Sequence, residues 1–468
     1  MHQCVLFGIL ISLLTSVNAQ SSSPNLKVEG ADSAGAVNKA KSLYEEADRY
    51  IANHYEDFNQ RKIRFDPQLE AAVRQEQKDL AARNAAIIAS SSPSGTQLYY
   101  LGLLYHLADN SDGALRVLRQ FLAATSTGEL AQTARSAVVV HAFKKNLLSE
   151  AESTLDQYAR QQPQSQQERY GMESLAADAF YKRRDFDRMS PHALAMRNAA
   201  KELAATKIEP DNRDQMLFKS ALFISEAYSK LGKKELAIDA VEDMRRFAVT
   251  LPSGYLYKLV TNRLLELNPA ADLTNAFAGK VSIASRLAPE FDAAEWIDQA
   301  PQKISDLRGH VVLLDFWATW CGPCRFTFPK LRAWQNKYQN EGLVILGLTN
   351  FYGAIDGRTV SPQEELSYLR DFKKRNHLNY GFAISKSQAT NDMYSVSSIP
   401  MSFLIDRSGR VRFITAGADE RQAAALGKMI KKLLDEPGES GHGKTDAEMG
   451  RRGDGSRALS GGNGPPRF

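Results

Sequence analysis

The sequence predicts a chain of two structural units, a region of helical hairpins followed by an α/β domain. Residues 36–268 are rich in Ala, Leu, Lys, Glu, Arg and Gln and contain few strand-like runs, which is typical of consecutive helices. Residues 286–436 alternate short apolar runs with longer amphipathic ones, which indicates strands alternating with helices. With 468 residues, the chain is long enough for both units to bury a core.

The N-terminal segment, residues 1–19, has the pattern of a secretory signal peptide. An apolar run at residues 5–14 is followed by small residues at Val17-Asn18-Ala19, before a cleavage site at Gln20. An uncleaved anchor is the alternative, but the run is shorter than the roughly 20 residues that a membrane span needs. We therefore expect export to a periplasm or to the extracellular space, no stable membrane span after cleavage, and a flexible lead at residues 20–35.

A nine-residue step recurs within the helical region. The paired positions are Tyr105 and Ala114, Ala142 and Ala151, and Tyr228 and Ala237. Phe180-Tyr181 opens a weaker copy, so the matching positions are 105, 142, 181 and 228. The pattern resembles tetratricopeptide repeats, in which small residues let two antiparallel helices pack closely and the pairs stack. An irregular helical bundle is the alternative. Stacked hairpins of this kind leave room for a groove that holds an extended peptide, so a protein partner on the helical repeats is a further hypothesis.

Four strands and three helices are predicted within the α/β domain, after a linker at residues 269–285. The strands are 311–316, 343–348, 402–406 and 411–414, and the helices are 325–339, 361–377 and 420–434. This alternation predicts a sheet with helices on both faces. Residues 437–468 are rich in Gly, Ser, Arg and Asp and almost free of large apolar side chains, so we expect a disordered tail there.

The motif Trp320-Cys321-Gly322-Pro323-Cys324 is the strongest chemical signal in the sequence. The third cysteine, Cys4, lies in the segment that we expect to be removed, so the mature chain keeps only this pair. Two thiols at this spacing, preceded by a strand, favour transfer of two electrons between a dithiol and a disulfide. A purely structural disulfide is the alternative, but so small a loop would constrain the unfolded chain little.

The wider sequence around the motif supports a family resemblance. The segment 315–324 looks like the active-site segment of the thioredoxin fold, and the segments 288–291, 307–309 and 396–409 are similar to the exported TlpA-like branch of that fold. The resemblance implies a thiol-disulfide oxidoreductase with disulfide-containing protein substrates and an upstream thiol electron donor. It also implies a helix-bearing insertion, for which the segment 351–380 is the candidate.

The two cysteines differ in their predicted roles. Cys321 falls where a strand ends and a helix begins, where backbone N–H groups and the helix dipole favour a thiolate, and Pro323 suits the first turn of that helix. We expect Cys321 to attack a substrate disulfide and Cys324 to resolve the mixed disulfide. The intervening Gly322-Pro323 matches general thioredoxin reductants, which favours the reducing direction.

Asp315 and Trp320 are the predicted supporting residues next to the dithiol. Asp315 is a carboxylate in an apolar strand, and the resemblance implies that it lies beneath the thiols and takes the proton of Cys324 during resolution. Burial would raise its pKa towards the working range; a water-facing position at the strand end is the alternative. Trp320 is expected to pack over the dithiol, with a plain core role as its alternative.

A second predicted element of the site is the dipeptide Ile399-Pro400. The resemblance implies that this peptide bond is cis and faces the dithiol, which would leave the backbone of Ile399 free to pair with an extended substrate. At Thr327 the chain departs from the resemblance, because many TlpA-like proteins carry an acidic residue there. A substrate specificity that depends on an acidic side chain at this position is therefore in doubt for this chain.

Other classes of function have less support in the sequence. A net charge of +5 over the whole chain gives no case for nucleic-acid binding. A peroxiredoxin would need a Pro-x-x-x-Thr-x-x-Cys element, which is absent, and a zinc site would need a second pair of ligands, whereas His310 and His377 show no ligand spacing. We expect no metal and no cofactor. A repeat-based binding scaffold with a non-catalytic thioredoxin-like domain is the rival from another class.

Overall fold

The computed structural model describes residues 31–64, 66–277 and 286–437. The predicted segments that fall outside the described residues are the signal peptide 1–19, residues 20–30 of the lead, residues 278–285 of the linker and residues 438–468 of the tail. A helix already begins at Ala31, so residues 31–35 are helical where the sequence predicted a flexible lead. Ala is the strongest helix former, and its frequency in this segment offsets the cost of Gly35.

The described part of the helical region consists of helices joined by short turns. They are α1 (Ala31–Asp48), α2 (Tyr50–Gln60), α3 (Pro67–Ala89), α4 (Thr96–Leu107), α5 (Ser111–Ala124), α6 (Glu129–Lys144), α7 (Leu148–Arg160), α8 (Gln166–Arg183), α9 (Phe186–Leu203), α10 (Pro210–Lys230), α11 (Lys234–Thr250) and α12 (Gly254–Leu267). From α4 onward, each helix packs against the next one in the chain, as in stacked hairpins. Among the residues that the structure describes, no helix combines the length and the apolar character needed to cross a membrane.

Four of the hairpins, α4–α5, α6–α7, α8–α9 and α10–α11, share one turn geometry. In each turn a carbonyl accepts from the N–H five positions later at 2.8 to 3.0 Å, and the acceptors belong to Tyr105, Ala142, Phe180 and Tyr228. The residue before each donor has a positive φ, namely Asp109, Asn146, Arg184 and Gly232. This geometry ends a helix through a left-handed residue. The recurrence of helical hairpins is confirmed, and the irregular bundle is wrong.

One predicted repeat position is displaced by a single residue. Phe180, not Tyr181, accepts the turn hydrogen bond of the third copy. Phe180 is completely buried, whereas Tyr181 is 42% exposed. The small partners that the nine-residue step predicted, Ala114, Ala151 and Ala237, are all completely buried. The hairpin helices therefore approach closely where the sequence carries alanine.

The second unit is an α/β domain. Its elements are β1 (Ala293–Ile297), β2 (Val311–Phe316), α13 (Gly322–Tyr338), β3 (Leu343–Asn350), β4 (Ala354–Ile355), β5 (Arg358–Thr359), α14 (Pro362–Arg375), β6 (Gly381–Ser385), α15 (Ala389–Met393), β7 (Met401–Ile405), β8 (Val411–Ala416) and α16 (Glu420–Asp435). The four predicted strands and three predicted helices are present with small shifts at their ends. The candidate insertion 351–380 contains the β4–β5 hairpin and α14.

The main sheet has the strand order β1-β6-β3-β2-β7-β8. The pairs β2–β3 and β3–β6 are parallel, and the other pairs are antiparallel. Strand β2 therefore lies near the middle of the sheet, and all of its residues are buried. Its carboxyl end leads directly to the cysteine motif, so the motif emerges at an edge of the sheet where parallel strands end.

Helices cover both faces of the sheet at β7, and one of them comes from the helical region. Ser402 lines a cavity between α13 and α16. Its neighbours Met401 and Phe403 point to the other face, where they adjoin Gly254 of α12. The rings of Tyr257 in α12 and Phe413 in β8 also meet, with centroids 6.1 Å apart. The predicted two-faced covering is confirmed, with α12 as one of the covering helices.

Candidate active site

Cys321 and Cys324 lie at the start of helix α13 and are joined by a disulfide bond. Strand β2 ends at Phe316, and Cys321 is the residue that caps α13. The Cys321 Sγ accepts a hydrogen bond from the N–H of Cys324 at 3.2 Å. An N–H at a helix start is not used by the helix itself, and it stabilises negative charge on the sulfur that it contacts. The predicted strand-to-helix position of Cys321 is confirmed.

The two sulfur-bearing residues differ little in exposure. Cys321 is 3% exposed and Cys324 is completely buried. Cys321 is thus the outer residue, as predicted, although only a small part of it reaches the surface. A substrate has to approach the site closely to meet its sulfur.

Trp320 projects outward and does not belong to the core. Its side chain is 61% exposed, and its ring meets the edge of Tyr352 with centroids 5.4 Å apart. The alternative of a core role for Trp320 is therefore wrong. Phe326 in the first turns of α13 is 76% exposed, so a second large apolar side chain projects close to the cysteines in sequence. Sequence reasoning missed Tyr352 and Phe326, because aromatic residues are usually read as core.

Asp315 lies in β2, one residue before the end of the strand, and is completely buried. Its Oδ1 accepts a hydrogen bond from the hydroxyl of Ser402 in β7 at 2.6 Å. Its Oδ2 makes no hydrogen bond to the described protein atoms. Burial raises the pKa of Asp315 to about 7, and the hydrogen bond from Ser402 opposes part of that rise. The predicted buried acid is confirmed, and the water-facing alternative is wrong.

Tyr380 is a further buried polar residue that interacts with Asp315. Its side chain is 3% exposed, and its hydroxyl makes no hydrogen bond to the described residues. Burial raises the pKa of Tyr380 well above its usual value, and the negative charge of Asp315 raises it further. Tyr380 therefore stays neutral at the pH values where Asp315 titrates.

A small cavity lies next to Ser402, the hydrogen-bond partner of Asp315. It has a volume of about 20 Å³ and lies between α13 and α16. Thr327, Lys330, Ser402 and Thr415 are among the residues that line it. A space of this size can hold a water molecule beside polar groups. Ser402 thus both donates to the buried carboxyl group and lines this cavity.

The peptide bond between Ile399 and Pro400 is cis, as the resemblance implied. The carbonyl of Pro400 accepts from the N–H of Gly417 at 3.0 Å, which ties the segment to the end of β8. Ile399 is partly exposed and makes no backbone hydrogen bond within the described part of the chain. Its main-chain groups are free to pair with another strand.

Thr327 forms a hydrogen bond within helix α13. Its hydroxyl donates to the carbonyl of Cys324 at 2.7 Å, within the first turns of α13. The position that carries an acid in many TlpA-like proteins therefore adds no charge next to the dithiol in this chain. In the described residues, no group of three or more His, Cys, Asp or Glu side chains is arranged to hold a metal ion.

Comparisons with known proteins cover the α/β domain. Residues 284–430 match the protein family described as Redoxin. The thiol-disulfide oxidoreductase ResA of Bacillus subtilis (strain 168) is 30% identical over 142 residues, which are 30% of this chain and 72% of that protein. The ResA of Geobacillus kaustophilus (strain HTA426) is 30% identical over 145 residues, which are 31% of this chain and 76% of that protein.

One solved structure has a similar identity. It is described as a putative thiol:disulfide interchange protein DsbE from Chlorobium tepidum, and it is 30% identical to this chain with a TM-score of 0.26. The likeness covers 31% of this chain and 98% of that one. The two ResA matches span 31% and 30% of the chain, as expected for the α/β domain alone.

Proposed function

The chain belongs to the family of thiol-disulfide oxidoreductases that includes ResA of Bacillus subtilis, and we propose that it reduces or exchanges disulfides in protein substrates through Cys321 and Cys324. The observation that carries this proposal is the pair of cysteines at the start of α13, joined by a disulfide, after a strand that buries Asp315. Both thiols required for a two-electron cycle are thus in place. This favours an enzyme over a non-catalytic scaffold.

The first step of the proposed reaction is attack by the Cys321 thiolate on a substrate disulfide. A new bond forms between Cys321 and one substrate sulfur, and the other substrate sulfur leaves as a thiolate that takes up a proton. The N–H of Cys324, which contacts the Cys321 Sγ, and the dipole of α13 support this step because both lower the energy of the thiolate.

The second step is resolution by Cys324. Its thiol loses a proton and attacks Cys321, which restores the Cys321–Cys324 disulfide and releases the second substrate thiol. The substrate gains two electrons and two protons, and the enzyme loses them. We assign the proton of Cys324 to Asp315, because a buried carboxyl group with a pKa of about 7 can accept and return a proton near neutral pH.

The segment around Ile399 is the proposed substrate-binding element. The free backbone groups of this residue, next to the cis bond to Pro400, suit an extended chain that adds to them as a strand. Trp320 and Tyr352, whose rings meet and are exposed, would supply apolar contact area for a bound substrate. The proposed substrates are therefore disulfides in accessible, extended protein segments.

The cellular compartment of the proposed reaction is inferred from the N-terminal sequence. We assign the protein to an exported compartment, periplasmic or extracellular, on the pattern of residues 1–19. Each turnover oxidises the dithiol, so an upstream thiol donor has to reduce it again. A protein partner on the helical repeats is a further part of this proposal.

Reduction of insulin disulfides by the protein with dithiothreitol as electron donor tests the proposal. The wild-type protein is expected to accelerate precipitation of the insulin chains, and the Cys321→Ser variant to match the rate with dithiothreitol alone. A wild-type rate no higher than that of the variant would reject the proposal. The Cys324→Ser variant should retain substrates as mixed disulfides on Cys321, and identification of these proteins by mass spectrometry would name the substrates.

A further inference from the structure

We propose that helices α10 and α12 hold the segment 394–400 in place, so that the helical region determines how protein substrates bind next to the dithiol. This inference rests on the proposed function of Ile399 as a substrate-pairing residue. It assigns Lys258 and the start of α12 as positioning elements of the redox site. The helical region would then contribute to catalysis by positioning the segment 394–400.

The first contact is made by the backbone at the start of α12. The N–H of Gly254 donates to the carbonyl of Tyr394 at 2.9 Å, and the N–H of Tyr255 donates to the carbonyl of Ser395 at 2.8 Å. These are the first two residues of α12, whose N–H groups have no acceptor within the helix. The carbonyl groups of the segment before the cis bond therefore act as acceptors for helix-start N–H groups that have no acceptor within α12.

A buried polar network fixes that helix end. The hydroxyl of Ser253, the residue that caps α12, donates to Asp214 of α10 at 2.5 Å and accepts from the N–H of Leu256 at 3.1 Å. Asp214 is completely buried and pairs with Arg213 at 2.8 Å. Arg213 in turn lies 3.5 Å from the hydroxyl of Ser395. The network thus begins in α10 and ends on the segment 394–400.

Lys258 provides the contact closest to the proposed pairing residue. One turn into α12, its ammonium group donates to the hydroxyl of Ser398 at 2.9 Å, across 140 residues of sequence. Ser398 directly precedes Ile399. A hydrogen bond from a charged donor is stronger than one between neutral groups, so it restricts the backbone next to Ile399.

Apolar contacts hold the other side of the cis bond. A Cβ atom on Gly254 would lie 2.0 Å from the Sδ of Met401 and 3.1 Å from the ring of Phe403, so α12 packs directly on β7. Tyr394 packs against Phe403, with ring centroids 4.8 Å apart, and is completely buried. Helix α12 thus touches the chain before and after the Ile399–Pro400 bond.

The expected consequence is selective for the kind of substrate. An extended protein segment would pair with the backbone of Ile399, whereas a small disulfide without a peptide backbone has nothing to pair. Loosening the segment 394–400 should therefore slow reaction with protein disulfides more than reaction with small ones. A general loss of stability would slow both alike.

The test compares Lys258→Met with the matched control Lys234→Met, which changes an exposed lysine at the start of α11. Rate constants are measured for oxidation of the pre-reduced protein by insulin and by hydroxyethyl disulfide. In Lys258→Met the ratio of the insulin rate to the hydroxyethyl disulfide rate should fall about threefold to tenfold, the effect of losing one hydrogen bond. In Lys234→Met the ratio should stay at the wild-type value.

A double-mutant cycle with Ser398→Ala and a hydrogen-exchange measurement complete the test. The double variant Lys258→Met, Ser398→Ala should have the same ratio as either single variant, because both remove one interaction. Amide exchange in the segment 394–401 should be faster in Lys258→Met than in the control. An unchanged ratio together with unchanged exchange would overturn the inference. A wild-type protein inactive on insulin would reject the proposed function, while the exchange data would still test the contact.

Discussion

Asp315 determines the pH dependence of the site at the scale of single residues. Ordinary aspartates are ionised at neutral pH, but burial in β2 raises the pKa of this one to about 7. Ser402 keeps the carboxyl group oriented through its 2.6 Å hydrogen bond. Near neutral pH, Asp315 is therefore present in both protonation states, as a residue that relays protons should be.

The first prediction concerns resolution of a mixed disulfide on Cys321. With Asp315 as proton acceptor, release of an aromatic thiol from that mixed disulfide should accelerate with rising pH and inflect near pH 7, the pKa of this carboxyl group. Asp315→Asn should remove the inflection and slow release about a hundredfold at neutral pH. The control Asp371→Asn, at an exposed position of α14, should keep the wild-type profile. A wild-type inflection in Asp315→Asn would show that another group accepts the proton.

Burial of Asp315 should also affect the stability of the protein. The burial that suits Asp315 to proton transfer should lower the free energy of unfolding at neutral pH. The pKa of Asp315 is about 7 in the folded protein against a usual 3.8, so the folded state binds more protons between these values. The free energy of unfolding therefore falls as the pH rises from 3.8 to about 7. Asp315→Asn should unfold at a higher urea concentration than wild type above pH 7, and the difference should shrink towards pH 4. No difference at high pH would mean that Asp315 is solvated.

At the scale of single elements, helix α12 packs very closely on strand β7. Its first residue has no side chain, and β7 comes so close that a Cβ there would overlap the sulfur of Met401. The helix start also donates two hydrogen bonds to the segment before the cis bond. Close packing and hydrogen bonding thus act on the same turn, so a change in one is expected to disturb the other.

Gly254→Ala tests this packing. Because Met401 is completely buried and has little space to move, the substitution should lower the free energy of unfolding by about 1 to 3 kcal/mol. Gly35→Ala is the matched control, because a Cβ at that exposed position of α1 meets no atom within 4 Å. It should leave stability unchanged or raise it, since Ala favours helices over Gly. Urea unfolding measures both, and equal stabilities for the two variants would contradict the close approach.

The elements that could be predicted from the sequence are those whose residues form a recognisable local pattern. Strand β2 is a continuous apolar run, and α14 begins with a capping box at Ser361 and Glu364, so both were predicted. Strands β1 and β6 were missed. Strand β1 is short and largely exposed, and the five residues of β6 are too few to distinguish a strand from a buried helix segment. Pairing with neighbouring strands stabilises both of them, and such pairing produces no recognisable pattern in the local sequence.

At the scale of the whole molecule, the later helices of the helical region share a hydrophobic core with the α/β domain, whereas the earlier helices, from Ala40 to Ala151, form a core cluster of their own. Buried residues from Val139 in α6 to Leu433 in α16 form a continuous cluster. The cysteines and Asp315 could be proposed from sequence because a close pair of thiols and a carboxylate in an apolar strand are chemically distinctive, whereas Pro400 was proposed from the family resemblance of its segment. The contact between Lys258 and Ser398 could not, because 140 residues separate the partners and both types are common on protein surfaces.

A fragment of residues 286–437 tests this dependence between the units. Without α12, the side chains of Met401, Phe403 and Phe413 lose the helix that covers them. The fragment should be less stable than the chain of residues 31–437 by about 2 kcal/mol or more, and it should self-associate through the exposed face. Urea unfolding and size-exclusion chromatography measure these outcomes. A monomeric fragment with an unchanged unfolding midpoint would show that the α/β domain is independent.

Alkylation of the fully reduced protein, followed by peptide mass spectrometry as a function of pH, tests the central claim most directly. If Cys321 is the attacking thiolate, iodoacetamide should modify it first, with an apparent pKa below the ordinary thiol value of about 8.5, while Cys324 stays unmodified. The enclosed position of Cys324 and the N–H that faces the Cys321 sulfur both support this order. Faster modification of Cys324, or a pair that stays bridged in excess dithiothreitol, would contradict the redox cycle.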